Sequence, residues 1–469
     1  MSQLFTKIDS AMAQSAATVP ATSGDASTRR IAELSNLAED LLQRARARGA
    51  DQAELSLSES RGLSVTVRMG DVETVEYARD RGLSLTVYFD KRKASASTAD
   101  LSPSGLEATL DQACAIARYT EADPMAGLAD ADRMATRIDD YDRWHPWALE
   151  PDAAVALGIA CETAGRQADP RIANSQGATV ESGESISVYA NSHGFVGGER
   201  GTNHSIACWL IAGQGDAMQR DGWYTTALAP GDLEAPEQVG LRAAERALRR
   251  LDPRMAPTGN VPVLFSSEMA RGLIGSLLGA VAGGAQYREA SFLLGAVGER
   301  LFPDWFALRE RPHLKRGFMS TGFDGDGVAT VESSLVTGGV LQRYLLDAYS
   351  ARKLGLATTG NAGGVHNLDA SLGNDDLPSL LRGMGRGLYV TELMGQGVNP
   401  ITGDYSRGAA GFWVEGGELA YPVDEITIAG NLRQMFLALE AVGREFDPRS
   451  YVRTGPMLIG QMTVAGSGE

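Results

Sequence analysis

The sequence predicts an α+β protein: an N-terminal α+β domain with an antiparallel sheet, a middle α+β unit and a mostly β C-terminal domain. Runs near residues 63–69 and 83–89 alternate apolar and polar side chains, the period of two that a half-buried strand needs. Between strand-like runs stand segments with apolar residues at helical spacing, bounded by Ser, Pro and Gly. From about residue 258 onward, short apolar runs are punctuated by glycine pairs, a pattern of many short strands and turns. With 469 residues, 43% of them apolar, the chain has material for about three domains of roughly 150 residues each.

Residues 1–28, rich in Ser, Ala and Thr, read as a flexible polar arm. A helix is expected from Thr28 to Arg48, with Leu34, Leu37, Leu41 and Leu42 on one face and Gly49 as its stop. Two strands follow that open almost identically, Arg61-Gly-Leu-Ser-Val-Thr-Val67 and Arg81-Gly-Leu-Ser-Leu-Thr-Val87. Two copies are too few for a solenoid, so they read as similar strands of one antiparallel sheet. Ser102-Pro103 starts a helix that buries Leu106, Leu110 and Cys114 and closes the N-terminal domain, 29–120.

The middle domain, 121–256, begins irregularly. A helix near Asp152–Gln167, strands near Ile186–Ala190 and Ser205–Ala212, and a helix from Pro236 to Leu251 complete it. The glycine-rich stretch from Asn191 to Gly201 reads as a hairpin connection across which His193 and His204 could face each other. The C-terminal β-rich domain, 257–469, opens with a buried strand, Val261–Phe265, running straight into a helix at Ser266.

Composition narrows the function. A net charge of −16 argues against a protein that tracks nucleic-acid phosphates with clustered Lys and Arg. The three cysteines, Cys114, Cys161 and Cys208, form no CxxC pair and read as small buried side chains in a reducing compartment. No secretory signal is recognisable, and no run reaches the ~18 apolar residues that a bilayer span needs. The expectation is a cytoplasmic protein with neither nucleic-acid nor membrane partners.

Common catalytic signatures are missing: no HExxH, HExxxH, GxSxG or P-loop occurs. Gly383-Met-Gly385-Arg-Gly387 precedes a strand-like run where a dinucleotide loop requires a helix, so it reads as a turn. Asp324-Gly-Asp326-Gly327 lacks the third acid of a calcium loop and reads as a β-turn. His193 and His204 have no third ligand. His366, Glu392, Asn399 and Asp404 are candidate binding contacts, and His366 with Glu392 or Asp404 would be the pairing of an autonomous hydrolase.

The most specific feature is a long signature, Glu392-Leu-Met-Gly-Gln-Gly-Val-Asn-Pro-Ile-Thr-Gly-Asp-Tyr-Ser-Arg-Gly-Ala-Ala-Gly-Phe-Trp-Val-Glu-Gly-Gly417. It continues into Tyr421-Pro-Val-Asp-Glu-Ile-Thr-Ile-Ala-Gly-Asn-Leu432. This closely resembles the TldD/TldE family of peptidase proteins, in its TldE branch, also called PmbA. The resemblance extends over nearly the whole chain after the arm.

In the TldD branch the strand-to-helix junction carries HExxxH, whose histidines bind zinc and whose glutamate is the base, with a C-terminal cysteine as third ligand. On this sequence the resemblance puts Ser266 at the first histidine, Ser267 at the glutamate, Arg271 at the second histidine and Ile459 at the cysteine. Glu268 stands one place off and is expected on another side of the helix. The resemblance therefore implies a chain without zinc, predicted inactive alone, that pairs with a zinc-bearing TldD-type subunit and helps to hold unfolded peptides. Its glycines would let a peptide backbone approach. The alternatives are a non-cleaving, peptide-binding or structural homodimer, and the autonomous hydrolase.

Overall fold

The computed structural model describes residues 22–466, so most of the expected arm, 1–21, lies outside the described residues. Its remainder is helical, because α1 runs from Thr22 to Ala47. Once the stretch holding the buried Leu34, Leu41 and Ala45 has nucleated a helix, each further residue adds one hydrogen bond, so polar residues prolong it.

Six strands, β1 (Gln52–Arg68), β2 (Asp71–Phe89), β3 (Arg92–Thr98), β4 (Ile172–Asn191), β5 (Val196–Ala212) and β6 (Gln219–Ala227), make one antiparallel sheet. Their order is β3-β2-β1-β4-β5-β6. The regions read as N-terminal and middle domains thus share a sheet, joined where β1 pairs with β4 from Glu54↔Asn191 to Val67↔Ala178. The two similar heptads are neighbours in β1 and β2, but the hairpin slides them past each other: Leu57 faces Leu83, and Leu63 faces Tyr77.

Along β1 the buried positions keep one alternation and therefore one face. Ala53, Leu55 and Leu57 pack under α1 and α2 (Pro103–Tyr119), while Leu63, Val65 and Val67 pack under α3 (Pro151–Gln167) and α4 (Pro236–Leu248). Ser102 caps α2 by accepting the Gly105 N–H at 3.2 Å, and all three cysteines are free and buried.

The hairpin between β4 and β5 corrects the sequence reading. Its turn is confined to Asn191–Phe195, and Gly197 to Gly201 lie inside β5. A Cβ on Gly198 would stand 2.3 Å from Ile31 of α1, so that glycine serves helix-on-sheet packing and no turn. His193 sits at the turn, whereas His204 is opposite Ser182 well along β5, so the two do not face each other.

The C-terminal domain folds around a second six-stranded sheet. It comprises β7 (Gly259–Phe265), β12 (Gly387–Met394), β13 (Asp404–Glu415), β14 (Glu418–Asn431), β15 (Leu439–Val442) and β17 (Met457–Gly466). The order is β14-β13-β12-β7-β17-β15, and β14 also pairs with β17, which closes five of the strands into a ring. Five short strands, β8 (Leu308–Glu310), β9 (Ser333–Thr337), β10 (Val340–Leu341), β11 (Leu368–Ala370) and β16 (Val452–Arg453), form a third sheet.

As expected, β7 runs straight into a helix, α5 (Ser267–Val281), whose Ala270, Leu273, Ile274 and Leu277 fill the core with Phe265, Trp413 and Ile459. Several glycines of the long signature are consumed by this packing. A Cβ would lie 2.0 Å from the Tyr389 carbonyl oxygen at Gly411 and 1.5 Å from that of Ser406 at Gly397. Both positions serve close approach within the chain, and neither is free to admit a peptide backbone.

Candidate functional site

The junction of β7 and α5 opens onto a cleft of about 690 Å³, walled by β6, the end of α4 and residues 445–449. Ser266 shapes it. As N-cap, its hydroxyl accepts from the Met269 N–H at 3.4 Å, and its own N–H donates to the Val390 carbonyl at 3.0 Å. The junction is thereby pinned to β12, and Ser267 and Glu268 are left lining the cleft.

Glu268 contradicts the expectation that it points elsewhere. Its two oxygens accept from Arg246 Nη1 at 2.9 Å and Arg449 Nη2 at 3.0 Å, so it ties α4 to the C-terminal segment. Arg246 also reaches Asp221 at 3.1 Å, and Arg449 also reaches Asp447 at 2.8 Å. The Arg449 guanidinium lies over Trp223 at 3.8 Å and Tyr224 at 4.2 Å. Arg271 approaches Asp447 at 3.5 Å.

These charges tune one another. Burial draws Arg246 down, but Glu268 and Asp221 outweigh it and hold the guanidinium above its ordinary value. Burial would raise Asp447, and the hydrogen bond and charge of Arg449, with Arg271 beyond, reverse the shift and keep its carboxyl low. Glu268 and Asp447 are both committed to guanidiniums.

The structure brings Ser266, Ser267 and Arg271 to this corner but not Ile459. Ile459 is buried in the core on the other face of the sheet, registered against Val263, because side chains alternate along β17. The segment that actually meets the β7–α5 junction is Phe446-Asp447-Pro448-Arg449.

None of the four candidate contacts lines the cleft. His366 is no solvated loop residue. It is buried, and both its N–H and its Nδ1 bond Glu310 at 2.8 Å. Glu392 is ion-paired with Arg250. Asn399 accepts from the Ile401 N–H at 2.9 Å, and Asp404 accepts from the Thr402 hydroxyl at 2.7 Å, so both fold their own loop. The pairing of His366 with Glu392 or Asp404 is therefore absent. His204 bonds Ser182 at 3.0 Å and the His145 carbonyl at 2.9 Å, a structural role.

Sequence reasoning missed Arg246, Arg249, Asp447 and Arg449. The run of arginines closing α4 was the available signal, but such a run reads as a solvated helix face until β6 and residues 445–449 are folded over it.

A zinc ion does not fit this donor set. Zinc needs three lone-pair donors, whereas a guanidinium offers only N–H groups, and the two carboxylates here are held by arginines. Among the described residues, no group of three His, Cys, Asp or Glu could hold a metal ion. No helix among them is long and apolar enough to cross a membrane.

Comparison with known proteins gives consistent matches along the chain. The PmbA/TldA metallopeptidase domain 1 matches residues 53–117, the central domain 144–251 and the C-terminal domain 258–466. Metalloprotease PmbA of Escherichia coli O157:H7 is 47% identical over 417 residues, covering 89% of this chain and 93% of that protein. A metalloprotease PmbA homolog of Haemophilus influenzae is 43% identical over 417 residues, covering 88% and 92%. TldE from Thermococcus kodakarensis shares the fold, with a TM-score of 0.79 at 21% identity over 91% of this chain and 99% of that one.

Proposed function

Because the chain belongs to the PmbA/TldA metallopeptidase family, we propose that it is the zinc-free, TldE-type subunit of a cytoplasmic heterodimeric peptidase. In this reading a TldD-type partner carries the zinc and the base, and the assembly processes small unfolded peptides. One observation carries it: the β7–α5 junction presents Ser266, Ser267 and Arg271, with Glu268 clamped between Arg246 and Arg449. The corner is stable as an arginine–carboxylate network and has no need of an ion.

The chain's own contribution is binding and assembly. The cleft runs beside β6, an edge strand of its sheet, so an extended peptide would lie along a strand. For assembly, the Asp71–Gly82 half of β2 has no outer partner among the described residues and exposes Val72, Val75 and Tyr77. Three free cysteines suit the cytoplasm.

The test is zinc content and hydrolysis of an unfolded peptide, measured for this chain alone, a TldD-type chain alone and the mixture. The mixture should form a heterodimer, hold zinc and outpace either chain. Stoichiometric zinc with full activity in this chain alone would overturn the reading, as would a homodimer that ignores the TldD-type chain.

A further inference from the structure

Five arginines line the cleft, and four have carboxylate partners. Arg242 reaches Glu234 at 3.0 Å, Arg246 reaches Glu268 at 2.9 Å, Arg316 reaches Asp142 at 2.8 Å, and Arg449 reaches Asp447 at 2.8 Å. Arg249 is different. Among the described residues its buried Nε has no acceptor and its guanidinium makes no ion pair, resting 5.0 Å from the centre of the Phe412 ring. Glu245, one helical turn earlier, is exposed and does not reach it. Burial first, and the neighbouring Arg246 charge second, pull Arg249 below its ordinary value, against the opposing charges of Asp221 and Glu245, neither of which bonds it.

A guanidinium cannot escape burial by losing its proton, so a partly buried one without an acceptor is costly. The Phe412 ring offsets only part of that cost. The cleft therefore holds one guanidinium without a hydrogen-bonded acceptor, in a lining that also carries the hydroxyls of Tyr389 and Ser267 and whose other arginines are ion-paired. A singly charged, planar acceptor matches it. A phosphate dianion matches it less well, because Glu268 and Asp447 keep their own negative charges close by.

We infer that Arg249, with Tyr389 and Ser267 beside it, is the receptor for a carboxylate of the bound peptide. This rests on the peptide reading above and specifies what the cleft recognises. The carboxylate comes from the peptide's free C-terminus or from an Asp or Glu side chain, which share the same planar fork for a guanidinium.

Fluorescence polarisation on the full-length chain separates the sources, using one labelled unstructured peptide made four ways. The forms are a free acid without acidic side chains, its C-terminal amide, the amide with one Glu, and the amide with Gln at that site. Native chain should bind at least one carboxylate form about tenfold or more tighter than its neutral counterpart. Arg249→Gln should erase that ratio, and Arg249→Lys should keep part of it, because a point charge lacks the fork. Without peptide, Arg249→Gln should melt at the native temperature or higher, since it removes a partly buried guanidinium that has no hydrogen-bonded acceptor; a fall of several degrees would make Arg249 structural and overturn the inference. Equal binding of all four peptides, or a ratio unchanged by Arg249→Gln, sinks the carboxylate receptor and leaves the peptide reading standing. Binding of none of them sinks both.

Discussion

Two clusters in contact with both the first sheet and the C-terminal domain hold their charged groups in different ways. In the cleft, guanidiniums are crowded and one lacks an acceptor. In the closed cluster on the other side, carboxyls are in excess. There Glu54 accepts from the hydroxyls of Tyr88 at 2.7 Å and Tyr189 at 2.8 Å. Asp324 gathers the N–H groups of Asp326 at 2.9 Å, Val328 at 3.0 Å and Ala362 at 2.9 Å. The cation nearby, Arg352, shows how a half-buried guanidinium is satisfied for structure alone: it donates to the carbonyls of Met125, Gly127 and Leu128 at 2.6–2.9 Å. Arg249 has no such carbonyls. The contrast teaches that excess charge marks a binding site only where the fold supplies no neutral partner for it.

The contrast breaks most visibly at Glu310, beside the closed cluster. Its buried carboxylate accepts from Arg343, from the Asn361 amide at 2.9 Å, and from both the N–H and the Nδ1 of His366 at 2.8 Å. Burial raises it, but His366 and Arg343 reverse the shift and hold it below its ordinary value. Glu310→Ala strands Arg343 and Asn361 together and should cost about 3–5 kcal/mol of stability. Urea unfolding measures this; a loss under about 1 kcal/mol would mean the cluster is no structural keystone.

Glu310 also shows what was legible in the sequence. Period-two alternation marked strands of the first sheet, the Ser102 cap placed one helix, and the junction of β7 with α5 was readable because a short buried strand ran straight into a helix at Ser266. Local signals could not show that His366 turns inward onto Glu310, because their pairing joins distant parts of the chain. For the same reason the sequence could not show that Ile459 lies away from the cleft: which face of β17 a residue takes depends on its register with β7. Arg246 and Arg449 look like ordinary surface charges until Glu268 joins them.

Glu268→Ala sharpens the comparison from the cleft side. It removes two charge-assisted hydrogen bonds at a partly open site where water can replace them, so the expected loss is smaller, about 2 kcal/mol. It also removes one negative charge from the cleft wall, while Arg246 keeps Asp221 and Arg449 keeps Asp447, so a carboxylate peptide should bind tighter to the variant while stability falls. Weakened binding, read by the same polarisation assay, would mean that the network positions the cleft more than it charges it.

The smallest effect tests the closed cluster through pH. Burial first, then the charges of Asp324, Glu54 and Asp347, push the Asp326 carboxyl up to about 7 against its ordinary 3.8, although the Ala348 N–H at 2.8 Å opposes the shift. Between those two pH values the folded chain holds a proton that the unfolded chain has released. This group's contribution to stability is therefore complete at low pH, declines as pH rises from about 4 to 7, and is flat above. Asn at this position stays neutral and can still accept from Ala348. Asp326→Asn should thus match the native chain near the acid end of that window and exceed it at pH 8 by on the order of 1–2 kcal/mol. Asp324 and Glu199 are also raised, by burial foremost, but both chains share them, so the difference between native and variant isolates Asp326. A variant less stable than native at pH 8 would show that Asp326 is ionised and needed there, and the cluster's surplus of carboxyls would then be a site after all.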